Sequence, residues 1–168
     1  MSRLPKYKKA LIVIDPWDSR QCSNSNFQSV HEEMIQNIRA VMDKVQYTVI
    51  ASYNKESRDL HPMLVQTDEE DKNVLYSIDK EEILQWLATR DVSILYYAGN
   101  SMPGCVNDRP MGLSNVGNFE KILIMDCIMY MMSLKPTVSG MLHEQYQTTL
   151  AVCEKHKWHK KWSWEIKK

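Results

Sequence analysis

The chain has 168 residues, with 21 Lys and Arg against 21 Asp and Glu, and 43% of its residues are apolar or aromatic. These values fit one soluble globular domain, and we expect residues 1–168 to form it. Because the formal net charge is zero, we expect no nucleic-acid partner and no membrane surface. The longest apolar runs, Ala10–Ile14 and Ile122–Met125, fall short of the roughly 20 residues of a membrane span. The first nine residues lack the apolar stretch of a secretory signal, so the expected location is cytoplasmic.

The four cysteines are widely separated. There is no CxxC pair and no Cys/His ladder at zinc spacing, so the sequence predicts neither a disulfide framework nor a structural metal site. Each thiol therefore has to be judged by its own surroundings. The four are Cys22, Cys105, Cys127 and Cys153.

Short apolar runs alternate with helical patterns along the whole chain, which is typical of βαβ units on a largely parallel sheet. Unbroken apolar runs suit strands that are covered on both faces. We therefore predict an α/β fold of three layers, αβα and Rossmann-like, with a mostly parallel sheet of five or six strands and helices on both faces. The predicted strands are Ala10–Ile14, Tyr47–Ser52, Val74–Ser77, Ser93–Ala98, Lys121–Met125 and a final edge strand at Trp162–Trp164.

Three helices are predicted between these strands. The first carries an apolar stripe at spacings of three and four, from Val30 to Val45. The second runs from about Lys80 to Arg90, after Asp79 and Glu82 in the spacing of a capping box. The last contains the stripe from Leu142 to Cys153. The polar stretch 53–72 is predicted to be a long surface loop, and loops of that length are often functional.

Candidate chemistry lies where the predicted strands end, because ligands of open parallel sheets bind beyond the carboxyl ends of the strands. Asp15 ends the first strand, and Cys105 follows the fourth after a Pro103–Gly104 turn. A helix starting at Val106 would put the Cys105 thiol near the positive end of a helix dipole. An acid beside such a thiol is the basic requirement for covalent acyl transfer.

In these residues the chain resembles the isochorismatase-like cysteine hydrolases, which include nicotinamidases and related amidases. The likeness rests on the acid that ends strand one (Asp15), on Gly99 followed five residues later by Cys105–Val106, on Arg109–Gly112, and on the strand that ends at Asp126–Cys127. It covers about residues 9–153. The order of these motifs and their register with the strands make the combination fairly specific.

The resemblance implies a catalytic triad of an acid, a lysine and a cysteine, here Asp15, Lys72 and Cys105. The acid would take the thiol proton and pass it to the leaving amine, and the thiolate would form a thioester that water hydrolyses. The family also has an unusual cis peptide before the nucleophile, here Asn100–Ser101. That bond would turn the backbone amides of Ser101 and Cys105 towards one point as an oxyanion hole.

The lysine assignment leaves an alternative open. Counting back from the helix at Leu87 gives Lys72, but Lys72 precedes its strand, whereas the family lysine follows it. In another register Tyr76 or Ser77 would take that place and leave the triad incomplete. Lys80 is a poorer candidate because it falls in the first turn of the next helix.

Other residues have both a binding and a structural interpretation. Trp17 and Asn100 are predicted substrate-binding residues, Trp17 because its ring could stack on a planar molecule. Arg109 could bind a carboxylate or brace its loop, and Asp126 is expected to hold a loop amide. Nicotinamidases carry an Asp and two His as metal ligands after strand two, whereas loop 53–72 has one histidine, His61. We therefore predict no metal and no cofactor.

The predicted function is cysteine-dependent hydrolysis of a small-molecule amide or related C–N bond. One alternative is a catalytically silent relative that acts as a binding or regulatory protein. Another is a redox-sensing or peroxide-reactive thiol protein built on Cys105. Relatives commonly pair, and the aromatic surface leaves a homodimer open.

Overall fold

The structure, a computed structural model, describes residues 7–18, 25–53, 59–65, 72–102, 104–130 and 138–168. Within them, six strands form one sheet in the order β3-β2-β1-β4-β5-β6, and every ladder in it is parallel. The strands are β1 (Lys8–Ile14), β2 (Tyr47–Ala51), β3 (Val74–Tyr76), β4 (Val92–Met102), β5 (Glu120–Tyr130) and β6 (His159–Lys161). The helices are α1 (Ser25–Met42), α2 (Lys80–Ala88), the single turn α3 (Cys105–Asp108) and α4 (Val138–His156). Within the same described ranges, 3₁₀ turns lie at Pro62–Leu64 and Ser163–Glu165.

The predicted fold class is confirmed. The apolar residues of β1 pack into two separate cores, one on each face of the sheet. Ala10, Ile12 and Ile14 pack on one face of the sheet with side chains of α2 and α4. Leu11 and Val13 pack on the other face with α1. Since successive side chains of a strand point to opposite faces, an unbroken apolar run is what a strand between two helical layers requires.

Asp79 caps the N-terminus of α2 as predicted, but Glu82 does not accept the Asp79 N–H directly, so the predicted capping box is only half formed. The Asp79 carboxylate accepts hydrogen bonds from the backbone N–H groups of Glu81 and Glu82. Glu82 completes the cap indirectly, since its carboxylate accepts from the Ser77 hydroxyl, whose oxygen accepts the Asp79 N–H. The turn after β3 is therefore joined to the start of α2.

The predicted edge strand at Trp162–Trp164 is wrong. The last strand is β6, and the chain turns into the 3₁₀ segment Ser163–Glu165. The Asp126 carboxylate explains this, because it accepts both the backbone N–H and the hydroxyl of Ser163. Those bonds hold the backbone away from the ladder and confirm that Asp126 braces a loop amide.

The predicted surface loop 53–72 is only partly a surface feature. Residues 54–58 and 66–71 lie outside the described part of the chain, as does Cys22. In residues 59–65, Leu64 is fully buried and His61 is buried, and Leu60 forms an isolated bridge with Trp17. Residues 59–65 pack on the start of the chain because Leu64 belongs to the same core as the apolar side chains of α1.

Among the described residues no helix is long and apolar enough to cross a bilayer.

Candidate active site

The sheet has one topological switch point, between β1 and β4. From β1 the chain order runs outward to β2 and β3 on one side and to β4, β5 and β6 on the other. Ligands of open α/β sheets bind in the crevice at such a point, beyond the carboxyl ends of the strands. Asp15 follows β1 directly, and Cys105 begins α3 just after β4, so the two candidate chemical groups flank this crevice.

Gly99 lets β1 and β4 approach each other closely at the switch point. Its φ is +117°, and a Cβ built there would lie 2.0 Å from the carbonyl oxygen of Ile14. Only glycine fits both the conformation and the space. The strand therefore continues past Gly99 to Met102, further than its predicted end at Ala98, and carries Asn100 and Ser101 into the crevice region.

Asp15 is a fully buried carboxylate held in an uncommon backbone conformation. Its φ is +47°, in the left-handed region where Asp is better tolerated than most residues. Its N–H donates to Ala51, and its Oδ1 accepts the N–H of Tyr53. Strained backbone of this kind collects at functional sites, where surrounding contacts hold it. The end of β2 is what orients this carboxylate.

Arg109 forms an ion pair with Asp15. Its Nε lies 2.9 Å from Asp15 Oδ2, with the Asp15 side chain fully buried and the Arg109 side chain 30% exposed. Burial acts to lower the pKa of Arg109, but hydrogen bonds and charge from Asp15 and Cys105 raise it above its ordinary value. The guanidinium therefore stays charged beside the Asp15 carboxylate.

The Tyr53 ring also packs against Arg109. The Arg109 guanidinium lies over the Tyr53 ring, 5.3 Å from its centroid, within the range of cation–π attraction. The Tyr53 hydroxyl accepts the N–H of Met111. Burial raises the pKa of Tyr53, and the charge of Asp15 acts in the same direction, so the phenol stays neutral beside the ion pair.

Asn100 ties the Asp15 turn to α1. Its amide nitrogen donates to the backbone oxygen of Asp15 at 2.8 Å and lies 3.1 Å from Nε2 of His31. Burial, followed by the charge of His61, lowers the pKa of His31 to about 4, so this ring is neutral at pH 7 and can accept from the amide. Asn100 thus has a positioning role, and its predicted substrate contact stays a prediction.

Trp17 lies inside the protein rather than on an open wall. Its ring stacks on His31 with a centroid separation of 4.9 Å, and only 7% of the residue is exposed. The predicted stacking of Trp17 on a planar substrate therefore stays a prediction. The cis peptide expected from the resemblance is present at Asn100–Ser101, while the oxyanion hole of Ser101 and Cys105 stays a prediction.

The structure does not bring Lys72 to Asp15 and Cys105. Val74 pairs with Thr48, and Thr48 pairs with Leu11. Lys72 lies two residues before Val74, and Asp15 lies four residues after Leu11, so six residues separate them along the strand direction. At about 3.3 Å per residue this is about 20 Å, which exceeds the reach of a lysine side chain.

The residue directly after β3, at the carboxyl edge, is Ser77 rather than a lysine. Its hydroxyl belongs to the α2 cap described above. Lys72 is exposed on the other side of β3, where its carbonyl oxygen accepts from Arg90. Among the described residues, Arg109 places its guanidinium beside Asp15; from the sequence, Arg109 had two interpretations, as a binder of a carboxylate or as a brace for its loop.

Three side chains that could act as metal ligands lie together near the site, but their hydrogen bonds do not suit a metal. Asp18, Glu32 and His61 each offer one ligand atom, all within 4.8 Å of one another. Nδ1 of His61 accepts the N–H of Met63, and Nε2 lies 2.8 Å from Glu32 Oε1. With Nδ1 accepting, the ring proton lies on Nε2, which donates to Glu32. A histidine that binds a metal needs that nitrogen free and usually donates from the other one, so these three residues do not fit a metal.

Sequence reasoning missed His31 and Tyr53. His31 precedes the buried residues Met34 and Ile35 by three and four positions and is itself fully buried, so helical periodicity could have found it. The predicted stripe used Val30 instead, which is only half-buried. Nothing in the local sequence identifies Tyr53, since its role depends on its backbone N–H and on a distant arginine.

No protein-family model matches the sequence, and no curated protein matches it. Solved structures do match the fold. The nicotinamidase of Bacillus subtilis superposes with a TM-score of 0.60 at 17% identity, covering 91% of this chain and 98% of that one. The pyrazinamidase/nicotinamidase of Streptococcus mutans gives a TM-score of 0.64 at 16% identity, with 92% and 100% covered.

An isochorismatase-like hydrolase from Alkaliphilus metalliredigens gives a TM-score of 0.60 at 14% identity, with 94% and 96% covered. The matches span nearly the whole of both chains, so the similarity extends well beyond one βαβ unit. The resemblance read from the strand-end residues is thereby confirmed at the level of the fold. With its six parallel strands and its switch point between β1 and β4, the chain has the fold of the isochorismatase-like cysteine hydrolases.

Proposed function

We propose that this protein is a cysteine hydrolase that cleaves the C–N bond of a small amide through a thioester at Cys105. The observation that carries the proposal is the ion pair between Arg109 and the buried carboxylate of Asp15, at the switch point that Cys105 also borders. An acid, a thiol and a fixed positive charge at a switch point are the parts that nucleophilic acyl transfer uses.

The proposed reaction has two halves. Asp15 takes the thiol proton as the sulfur attacks the amide carbon, and a C–S bond forms while the carbonyl oxygen becomes an oxyanion. The C–N bond then breaks, and the proton passes from Asp15 to the leaving nitrogen. Water next attacks the thioester, which releases a carboxylic acid and returns the thiol. The backbone amides of Ser101 and Cys105 are the proposed oxyanion donors.

We assign the cationic role to Arg109 instead of Lys72. An arginine holds its proton under all ordinary conditions, so it cannot shuttle a proton as a lysine can. Its proposed contribution is electrostatic: it favours negative charge on the attacking sulfur and fixes the geometry of Asp15. Removal of one preorganised charge-stabilising donor from an active site costs about 10²- to 10³-fold in rate.

Ammonia release from a panel of small primary amides, nicotinamide included, tests the proposal. We expect turnover of at least one amide, its loss in Cys105→Ala, and its retention in Cys153→Ala, which removes a buried thiol on α4. Arg109→Met should lower the rate about 10²-fold, and Lys72→Met should change it less than twofold. The reverse result for these last two variants would return the cationic role to Lys72.

A second candidate is a catalytically silent binding protein. The absence of a lysine beside Asp15 among the described residues favours it, because the resemblance implies one there. Failure of every amide, with Cys105 still alkylated by iodoacetamide in the folded protein, would favour this candidate. Rapid conversion of Cys105 to a sulfenic acid by dilute peroxide, again without amide turnover, would favour the redox-sensing alternative.

The remaining expectations concern location and assembly. A cytoplasmic location, a small-molecule substrate and the lack of a nucleic-acid partner stay predictions. Pairing into a homodimer also stays a prediction, and light scattering on a size-exclusion column at micromolar concentration measures it directly.

A further inference from the structure

The helical turn α3 is too short to satisfy its own C-terminal end. It spans only Cys105–Asp108, and the last four carbonyl groups of a helix have no partner within it. Residues 112–115, which we call the return segment, fold back onto α3 and supply donors. Two of its backbone N–H groups donate to α3 carbonyl oxygens over 3.0 and 3.2 Å: Leu113 to Val106 and Ser114 to Asn107.

A side chain of the return segment bonds the next two carbonyl groups. The amide nitrogen of Asn115 donates to the backbone oxygen of Asp108 at 2.9 Å and to that of Arg109 at 3.0 Å. A primary amide has two N–H bonds, so one group can serve both oxygens. The Arg109 oxygen also accepts the N–H of Gly112 at 2.7 Å. Asn115 therefore helps to fix the backbone from which the Arg109 side chain extends.

The return segment is itself held in place. A Cβ built on Gly112 would lie 2.5 Å from the carbonyl oxygen of Asn107, a close approach that glycine permits because it has no side chain. Lys80, in the first turn of α2, donates from Nζ to the backbone oxygen of Asn115 at 2.7 Å. Asn115 is exposed, but its backbone is bonded to α2 and its side chain to the end of α3.

We infer that Asn115 is a positioning residue for Arg109, and that its two hydrogen bonds help to set the guanidinium against the buried carboxylate of Asp15. Ordering a long side chain with many rotamers costs conformational entropy. A fixed backbone at the base of that side chain therefore favours the bond of 2.9 Å between Arg109 Nε and Asp15 Oδ2. The effect on this ion pair is independent of any reaction, whereas an effect on rate rests on the proposed hydrolysis.

Hydrogen exchange at Nε of Arg109 tests the inference without a substrate. The Nε–H that donates to Asp15 should be protected from exchange in the full-length, ¹⁵N-labelled protein, and its NMR signal is identified by its loss in Arg109→Met. In Asn115→Ala we expect this proton to exchange about three- to tenfold faster, the effect of about one net hydrogen bond. Backbone amides of β1 and β4 should stay within about twofold, because the change is local.

Two further variants separate positioning from a general effect on the loop. Asn115→Gln keeps the amide donor on a side chain longer by one methylene group, and it should recover part of the protection. Ser114→Ala is the matched control, because the Ser114 hydroxyl donates to the Asn107 side chain at 2.6 Å and its removal leaves both Asn115 bonds in place. The Arg109 proton should exchange in Ser114→Ala at the wild-type rate.

Kinetics add a second measurement if an amide is turned over as proposed. Asn115→Ala should then lower kcat about three- to tenfold with little change in KM, since Arg109 acts on charge that develops during the reaction. The same substitution in Arg109→Met should have little further effect, because residues that act through one group are not additive. Failure of every amide would count against the proposed function alone, since the exchange measurement still decides the inference.

Three results would overturn the inference. The first is unchanged exchange at Arg109 Nε in Asn115→Ala. The second is an equal acceleration in Ser114→Ala, which would assign the effect to the loop as a whole. The third is an equal acceleration of the β1 and β4 amides in Asn115→Ala, which would assign it to overall stability.

Discussion

The ion pair between Asp15 and Arg109 should stabilise the fold as well as serve the site. Truncating one partner of a buried pair leaves an uncompensated charge and typically costs about 3–5 kcal/mol. The Asp15 side chain is fully buried, but the Arg109 side chain is 30% exposed, so water screens part of the interaction. For Arg109→Met we therefore expect a loss of about 2–3 kcal/mol in the free energy of unfolding. In a domain of this length that corresponds to about 5–10 °C in Tm.

A double-mutant cycle separates the pair from the rest of the arginine. Asp15→Asn removes the charge while keeping an acceptor for the Tyr53 N–H, and Asn tolerates the left-handed backbone of this position. Because Arg109 can then turn towards solvent, the Asp15→Asn loss should be about 1 kcal/mol. The double variant should lose less than the sum of the two, with a coupling energy of about 1–2 kcal/mol.

Urea unfolding followed by tryptophan fluorescence measures all four proteins under the same conditions. Arg109→Lys provides the matched control, since it keeps the charge but loses the planar fork of donors, and it should recover about half of the loss. A coupling energy below about 0.5 kcal/mol would refute the argument that Arg109 compensates the buried carboxylate.

Three further predictions follow from the same geometry. Gly99→Ala should cost about 3 kcal/mol or more in urea unfolding, because its Cβ would meet the Ile14 carbonyl at 2.0 Å with φ at +117°; a loss under 1 kcal/mol would contradict the close approach. His31 has a pKa lowered from 6.5 to about 4, so the unfolded chain binds more protons between these values. This difference in proton binding by His31 contributes about 3 kcal/mol to the free energy of unfolding. The contribution is present above pH 6.5 and is lost as the pH falls to 4. The unfolding free energy of His31→Gln should fall less steeply over that window, and equal slopes would contradict the reasoning. Burial raises the pKa of the Cys127 and Cys153 thiols; iodoacetamide at neutral pH, followed by mass spectrometry, should therefore modify Cys105 well before either of them.

The sequence predicted the layers of the fold because each layer has a local signal. The run Ala10–Ile14 lacks polar residues on either side of the strand, so both faces had to be covered. The start of α2 follows from Asp79, whose side chain needs only the next turn of its own helix. Asp126 could be assigned to a loop amide, although its partner Ser163 could not be named, since the two are 37 positions apart.

The candidate site was predictable only in part, because some of its residues have a local sequence signal and others do not. Asp15 and Cys105 are marked by local sequence, one after an apolar strand and the other after a turn before a helix. That Arg109, and not Lys72, reaches the carboxylate depends on the register of β3 with β2 and β1 and on where the turn after α3 directs its side chain. These are long-range pairings between segments up to 94 positions apart. Periodicity and turn residues specify which elements form, but the packing of the whole chain decides which charges meet.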